Sequence, residues 1–158
     1  MSGFSHLDEQ GRANMVDVSD KAQTRREATA EGFLIVSNDV IERISEGRIA
    51  KGDVFAVARV AGIQGAKQCA SLIPLCHPLA LSKVDIDFDV DKAGSRIRVR
   101  CTCRLTGRTG VEMEALTGVN VALLTLFDMC KAIDPAMRIH EVRVTDKKGG
   151  KGGHWTQP

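Results

Sequence analysis

From Val84 to Leu105 the chain alternates between apolar and polar positions. Val84, Ile86, Phe88 and Val90 are separated by Asp85, Asp87, Asp89 and Asp91. After Lys92-Ala93-Gly94-Ser95, the residues Ile97, Val99, Cys101, Cys103 and Leu105 alternate with Arg96, Arg98, Arg100, Thr102 and Arg104. A period of two predicts half-buried strands, here folded as a hairpin that sets an aspartate row against an arginine row on its exposed face. The aspartates neutralise the arginines, which argues against a nucleic-acid stripe.

The next stretch, Thr106 to Ile133, changes period. A glycine-punctuated turn, Thr106-Gly107-Arg108-Thr109-Gly110, leads into an apolar-periodic segment that Asp134-Pro135 should stop. Thr109 followed by Glu112 fits a capping box, so the helix is expected to start at Gly110. Leu116, Val119, Leu123, Phe127 and Cys130 fall on one face, which should meet the core. The other side mixes Thr117, Val121 and Leu124 with Asp128 and Lys131, so it needs a cover compatible with charge.

Earlier in the chain, a strand is expected from Ala28 to Val36. A short helix from Asn38 to Glu46 follows, capped by Ser37 and closed by Gly47. A second helix, Val54 to Cys69, is rich in small residues. Gly62 and Gly65 each cost up to about 1 kcal/mol inside a helix, so another backbone, from the sheet or from a second subunit, should approach closely there. Pro74 and Pro78 make 72–79 a rigid extended loop. A last strand is expected from Met137 to Thr145. The order is that of a ferredoxin-like β-α-β-β-α-β plan with an extra helix: an α+β fold whose antiparallel sheet is covered on one side by helices. Residues 1–14 are polar and patternless and are expected to be mobile, leaving 15–158 as one domain with a flexible Gly/Lys-rich segment near its end.

Composition adds constraints. The 158 residues are 43% hydrophobic and 27% charged, with a net charge of +2, as in an ordinary globular domain. That charge, with no Tyr and one Trp, argues against a nucleic-acid partner. No apolar run approaches the ~18 residues of a membrane span, and the first residues lack the pattern of a signal peptide. A cytoplasmic location is the expectation. The five cysteines include no CxxC pair, so reduced thiols are expected.

Several residues suggest chemistry. Asp128 and Lys131 sit three apart and can meet on a helix, either as a surface ion pair or as an amine held for proton transfer. Glu114 lies near the same angular position as Asp128 but roughly 21 Å away along the axis, so the two cannot form a close carboxylate pair. Glu112 is assigned first to the cap. Cys76-His77, between prolines, hints at zinc, but the partners at recognisable spacing are missing, and no metal is assigned. The run Lys147-Lys148-Gly149-Gly150-Lys151-Gly152-Gly153 is either a solvated tail or a glycine-rich lid that closes over phosphates. Lys51 and Lys67, near helix ends, would add to such an anion site.

Taken together, MVDVS at 15–19, KGDV at 51–54, AGIQGAK at 61–67, LIPLCHPL at 72–79, TGRTGVEMEALT at 106–117, DMCKA at 128–132 and the GGK of 149–151 resemble the MoaC family of molybdenum cofactor biosynthesis. The resemblance implies conversion of 3′,8-cyclo-7,8-dihydroguanosine 5′-triphosphate to cyclic pyranopterin monophosphate with loss of pyrophosphate. It implies no required redox cofactor and leaves magnesium open as a companion of the triphosphate. It also implies catalytic roles for Asp128, Lys131 and Lys51, and substrate contacts from Leu75, Cys76, His77, Met113, Glu114 and Glu112. Arg26, Lys67, Lys147 and Lys151 would clamp phosphate. A homohexamer, a trimer of dimers with active sites between subunits, is implied as well. Gly118, Asn120 and Phe127 depart from the residues usual in the family. A non-catalytic nucleotide-binding module is the alternative from another class.

Overall fold

The computed structural model describes residues 5–158. Its chain order is β1 (Thr24–Ile35), α1 (Asn38–Ser45), α2 (Val54–Lys67), α3 (Cys69–Leu72), β2 (Lys83–Asp91), β3 (Arg96–Gly107), α4 (Glu112–Cys130), β4 (Arg138–Lys148) and β5 (His154–Thr156). The strands form one sheet in the order β2-β3-β1-β4-β5, and every pair is antiparallel. The first four strands have the ferredoxin-like order, so the fold is the α+β architecture expected, extended by one short edge strand.

The hairpin follows its alternation closely. Asp87, Asp89 and Asp91 lie opposite Arg100, Arg98 and Arg96, and Arg96 Nε reaches Asp91 Oδ2 at 3.1 Å. The arginine row is also held from β1, where Glu31 accepts from Arg98 at 3.1 Å and from Arg143 of β4 at 3.2 Å. Glu27 pairs with Arg104. On the other sheet face Ala28, Ala30, Leu34, Ile97, Val99, Cys101 and Cys103 are fully buried, and α4 lies across them.

The expected core face of α4 is where the pattern put it. Val119, Leu123 and Cys130 are buried, and Leu116 and Phe127 pack at the edge of the core. The other face is partly covered by α2, which supplies the close approach that its glycines required. A Cβ on Gly62 would stand 2.9 Å from the Gly118 carbonyl oxygen and 2.2 Å from Ile86 Cδ1, and one on Gly118 would stand 2.7 Å from Cys101 Sγ. The neighbour is therefore a helix of the same chain. Gly118, a departure from the family pattern, fits this crossing.

Several boundaries differ from expectation. α4 begins at Glu112 rather than Gly110, and its N-cap position is Val111, with no side-chain cap. The capping box is absent because the Glu112 carboxylate turns to Lys147 Nζ, 2.8 Å away on β4. α2 stops at Lys67, and α3 takes Cys69. β1 begins at Thr24, and β4 runs on to Lys148. The Gly/Lys-rich run is a hairpin turn into β5: Gly149 N–H donates to the Gly153 carbonyl at 2.8 Å. A Cβ on Gly149 would meet the Arg25 carbonyl oxygen at 2.1 Å, so this position requires glycine.

Of the N-terminal segment expected to be mobile, residues 1–4 lie outside the described residues. Within the rest, Asp8 accepts from the Gln10 and Arg12 amides at 2.9 Å. Among the described residues one helix, α4, is long and apolar enough to cross a membrane by length and composition. Its apolar side is instead spent on the sheet and α2.

Candidate active site

Two polar assemblies lie at opposite ends of α4. At its C-terminal end, Asp128 gathers two lysines. Lys131 Nζ donates to Asp128 Oδ1 at 2.8 Å, three residues along the helix. Lys51 Nζ donates to Asp128 Oδ2 at 3.0 Å and to the Asp128 backbone carbonyl at 3.0 Å. Lys51 arrives because Gly52, at φ +105°, turns the chain into α2, and α2 runs antiparallel to α4. All three side chains are about half exposed, so within one chain the cluster is an exposed ion-pair network. The two ammonium groups, Lys131 foremost, hold the Asp128 carboxyl down at about 2. It stays ionised at any physiological pH and is a poor proton acceptor.

The second assembly surrounds an open cleft of about 280 Å³ at the N-terminal end of α4, lined by Leu75, Cys76, His77, Glu112, Met113 and Glu114 among others. The proline-bounded loop and the first turn of α4 form two walls. Val16, Val18 and Lys21, just ahead of β1, form a third. His77 Nε2 lies 2.5 Å from the Val16 carbonyl oxygen. That oxygen can only accept, so Nε2 carries the proton, and the ring of a neutral His77 offers Nδ1 as an acceptor. Glu114 is buried, and burial pushes its carboxyl above the ordinary value. The Cys76 thiol is pushed up for the same reason.

A basic margin flanks this cleft. Arg26 Nη2 donates to the Arg108 carbonyl at 3.2 Å, while its Nε is buried without a partner among the described residues. Lys147 is tied to Glu112. Lys67 and Lys151 do not line the cleft; Lys67 ends α2 and Lys151 sits exposed in the β4–β5 turn. One protomer thus brings Lys51, Asp128 and Lys131 together, and separately Leu75, Cys76, His77, Met113, Glu112 and Glu114. It does not join the two groups, which stand roughly 21 Å apart along α4. Sequence reasoning passed over Lys21 as a wall residue, since a single lysine ahead of a strand carries no signal of its own.

Fold and site together define a ferredoxin-like α+β protein with a lysine–aspartate–lysine cluster and a separate acid-and-thiol cleft. Residues 15–150 match the MoaC family, and the chain belongs to that family. It is 52% identical over 155 residues to a protein of Heliobacterium modesticaldum named cyclic pyranopterin monophosphate synthase, with 98% of each chain covered.

Proposed function

We propose that the chain is a cyclic pyranopterin monophosphate synthase, a lyase that takes 3′,8-cyclo-7,8-dihydroguanosine 5′-triphosphate to cyclic pyranopterin monophosphate and pyrophosphate. The observation that carries this reading is the Asp128 carboxylate held between Lys131 and Lys51. Rearranging the purine-derived ring and closing a cyclic phosphate need proton transfers and neutralisation of phosphate charge. A substrate hydroxyl attacks the α-phosphorus and gives up its proton, and pyrophosphate departs with the electron pair of the broken P–O bond. Two amines fixed on one carboxylate suit this chemistry. Asp128 acts as the positioning anion, because a carboxyl with a pKa of about 2 takes up a proton poorly near neutral pH. Lys131 is the proton-transfer group, with Lys51 as the second.

In this reading the cleft holds the pterin end through Cys76, His77, Met113, Glu112 and Glu114, and the basic margin takes phosphate. Arg26, held against the Arg108 carbonyl through Nη2, contributes its positive charge to that margin. The reaction calls for no redox cofactor, and magnesium enters only as a counter-ion of the triphosphate. The enzyme works in the cytoplasm as a homohexamer, a trimer of dimers. Support for assembly comes from Val57, Val60 and Leu124, large apolar residues left exposed on α2 and α4 on the helix pair that carries the lysine–aspartate cluster. A second protomer laid there buries this row, desolvates the lysines and brings its own cleft to them.

Freshly prepared cyclic dihydro-GTP, with pyrophosphate and oxidised pterin followed together, tests the reading. Formation of both products is expected. If the intact protein yields neither, the enzyme assignment fails, and substrate that binds without reacting would favour a nucleotide-binding module.

A further inference from the structure

Behind the cleft lies a group that the reaction does not use, the fully buried thiol of Cys69. We propose that Cys69, Cys76 and Glu114 form a binding site for one thiophilic divalent cation of the zinc class. The three donor atoms lie within 4.8 Å of one another, and they come from three well-fixed segments: the start of α3, the proline-bounded loop and the first turn of α4. The sulfurs of Cys69 and Cys76 are 3.9 Å apart. Tetrahedral zinc with Zn–S bonds of about 2.3 Å sets two sulfurs about 3.8 Å apart, so the pair already has the bite of a metal site. A disulfide would need the same sulfurs to close to about 2.05 Å.

The surroundings point the same way. Glu114 is 3% exposed, and the charged neighbour that acts on it is another acid, Glu112. Among the described residues no cationic side chain forms an ion pair with it. A buried carboxyl beside two thiols supplies three donor atoms that a cation can claim by displacing their protons. Thr117 Oγ1 stands 3.4 Å from Cys69 Sγ and 2.7 Å from the Met113 carbonyl oxygen. Its single proton serves one of them at a time, so it can turn toward the sulfur when the thiol becomes a thiolate ligand. Binding replaces the ligand protons by the cation, and no oxidant or reductant is involved. Cys76 and Glu114 also line the cleft, which leaves the fourth coordination position to water.

The site stands on geometry alone, but its consequence rests on the function proposed above. A cation held by Cys76 and Glu114 occupies the pterin end of the cleft, so zinc and substrate exclude each other. Chelator-treated, reduced full-length protein titrated with cobalt(II) is the direct test. The expected result is one ion per chain, with an intense near-ultraviolet sulfur-to-cobalt charge-transfer band that stoichiometric zinc displaces. Absence of that band from the intact protein overturns the proposal without need of any variant. Cys69→Ser and Glu114→Gln, checked for fold by circular dichroism, should each weaken cobalt binding at least tenfold; a folded Cys69→Ser protein that keeps the full band also overturns it. Saturating zinc should lower pyrophosphate release at least tenfold in the wild type and not in Cys69→Ser. Zinc that binds without slowing turnover would leave the site in place and sink its overlap with substrate. A protein that binds cobalt but forms no product under any condition would sink the functional reading alone.

Discussion

The two ends of α4 solve opposite problems. At the N-terminal end Glu114 is buried, and the proline-bounded loop and the segment ahead of β1 wall a cleft whose lining includes Lys21, His77 and Glu112, so a ligand would find walls as well as charge. At the C-terminal end Asp128, Lys131 and Lys51 present charge on an open surface without walls. Exposed ion pairs of this kind contribute little to stability. Holding two lysines on one aspartate therefore makes better sense as preparation for a ligand than as reinforcement of the fold. Within a protomer the helix holds the two ends roughly 21 Å apart, too far to serve one reacting group.

The sharpest test of this contrast is to remove the amine at the open end. Lys131→Ala should lower pyrophosphate release by about 10²- to 10⁴-fold, the range for loss of a positioned proton-transfer group, with an unchanged melting temperature. Full turnover in Lys131→Ala together with its loss in Lys51→Ala would exchange the roles of the two lysines. The next test asks whether the two ends meet across a subunit boundary. Lys131→Ala and Glu114→Gln proteins, each nearly inactive, should recover about a quarter of wild-type turnover when random mixed dimers are formed, because a mixed pair has one site with both defects and one with neither. No recovery in verified mixed dimers would break the intersubunit reading.

Asp128 separates positioning from proton transfer. Its carboxyl sits at about 2, below the ordinary 3.8, so whatever its ion pairs add to stability is present above the ordinary value and is lost as pH falls through about 2. Between about pH 5 and 9 its charge is constant. Asp128→Asn should therefore lower turnover by about 10- to 100-fold, as expected when reacting groups are displaced, and any shift in the pH–rate profile should fall on the limb set by the lysines that lose their carboxylate partner. Disappearance of the acidic limb in this variant would make Asp128 a proton carrier.

Much of the fold could be read because each element announces its own period. The hairpin alternates in steps of two, and α4 carries its core residues at helical spacing, so both were legible without any partner in view. What escaped were features decided by a distant residue. The capping box at Thr109 failed because Lys147, far along the chain, takes Glu112. Gly62 and Gly65 announced a close neighbour but could not name α4. β5 was unreadable because three residues after a glycine run have no periodicity to display. The same limit governs the site. Asp128 and Lys131 are local and were visible on one helix, whereas Lys51 joined them only through family resemblance, being 77 residues away. Cys69 went unassigned because its spacing to Cys76 matches no ligand pattern, and Glu114 lies on a different element.

The helix crossing that places Lys51 beside Asp128 offers a milder test. Gly62→Ala puts a methyl group 2.9 Å from the Gly118 carbonyl oxygen, backbone that cannot turn aside. It should cost about 1–3 kcal/mol, the range for overpacking, read from chemical denaturation. Some loss of turnover should follow as α2 shifts Lys51.

The smallest expected effect distinguishes two helix starts that look alike in sequence. Asp53 caps α2, its Oδ1 accepting from the Ala56 amide at 3.1 Å, and the amide otherwise left unpaired makes Asp53→Ala cost about 1 kcal/mol. Thr109 fits a capping pattern equally well, yet α4 has no side-chain cap and begins at Glu112. Thr109→Ala should leave the denaturation midpoint of the free protein almost unchanged. Thr109 does line the cleft, so the same substitution should show in the KM for substrate. A stability loss equal to that of Asp53→Ala, with no change in KM, would restore the capping box and remove Thr109 from the enclosed end of the helix.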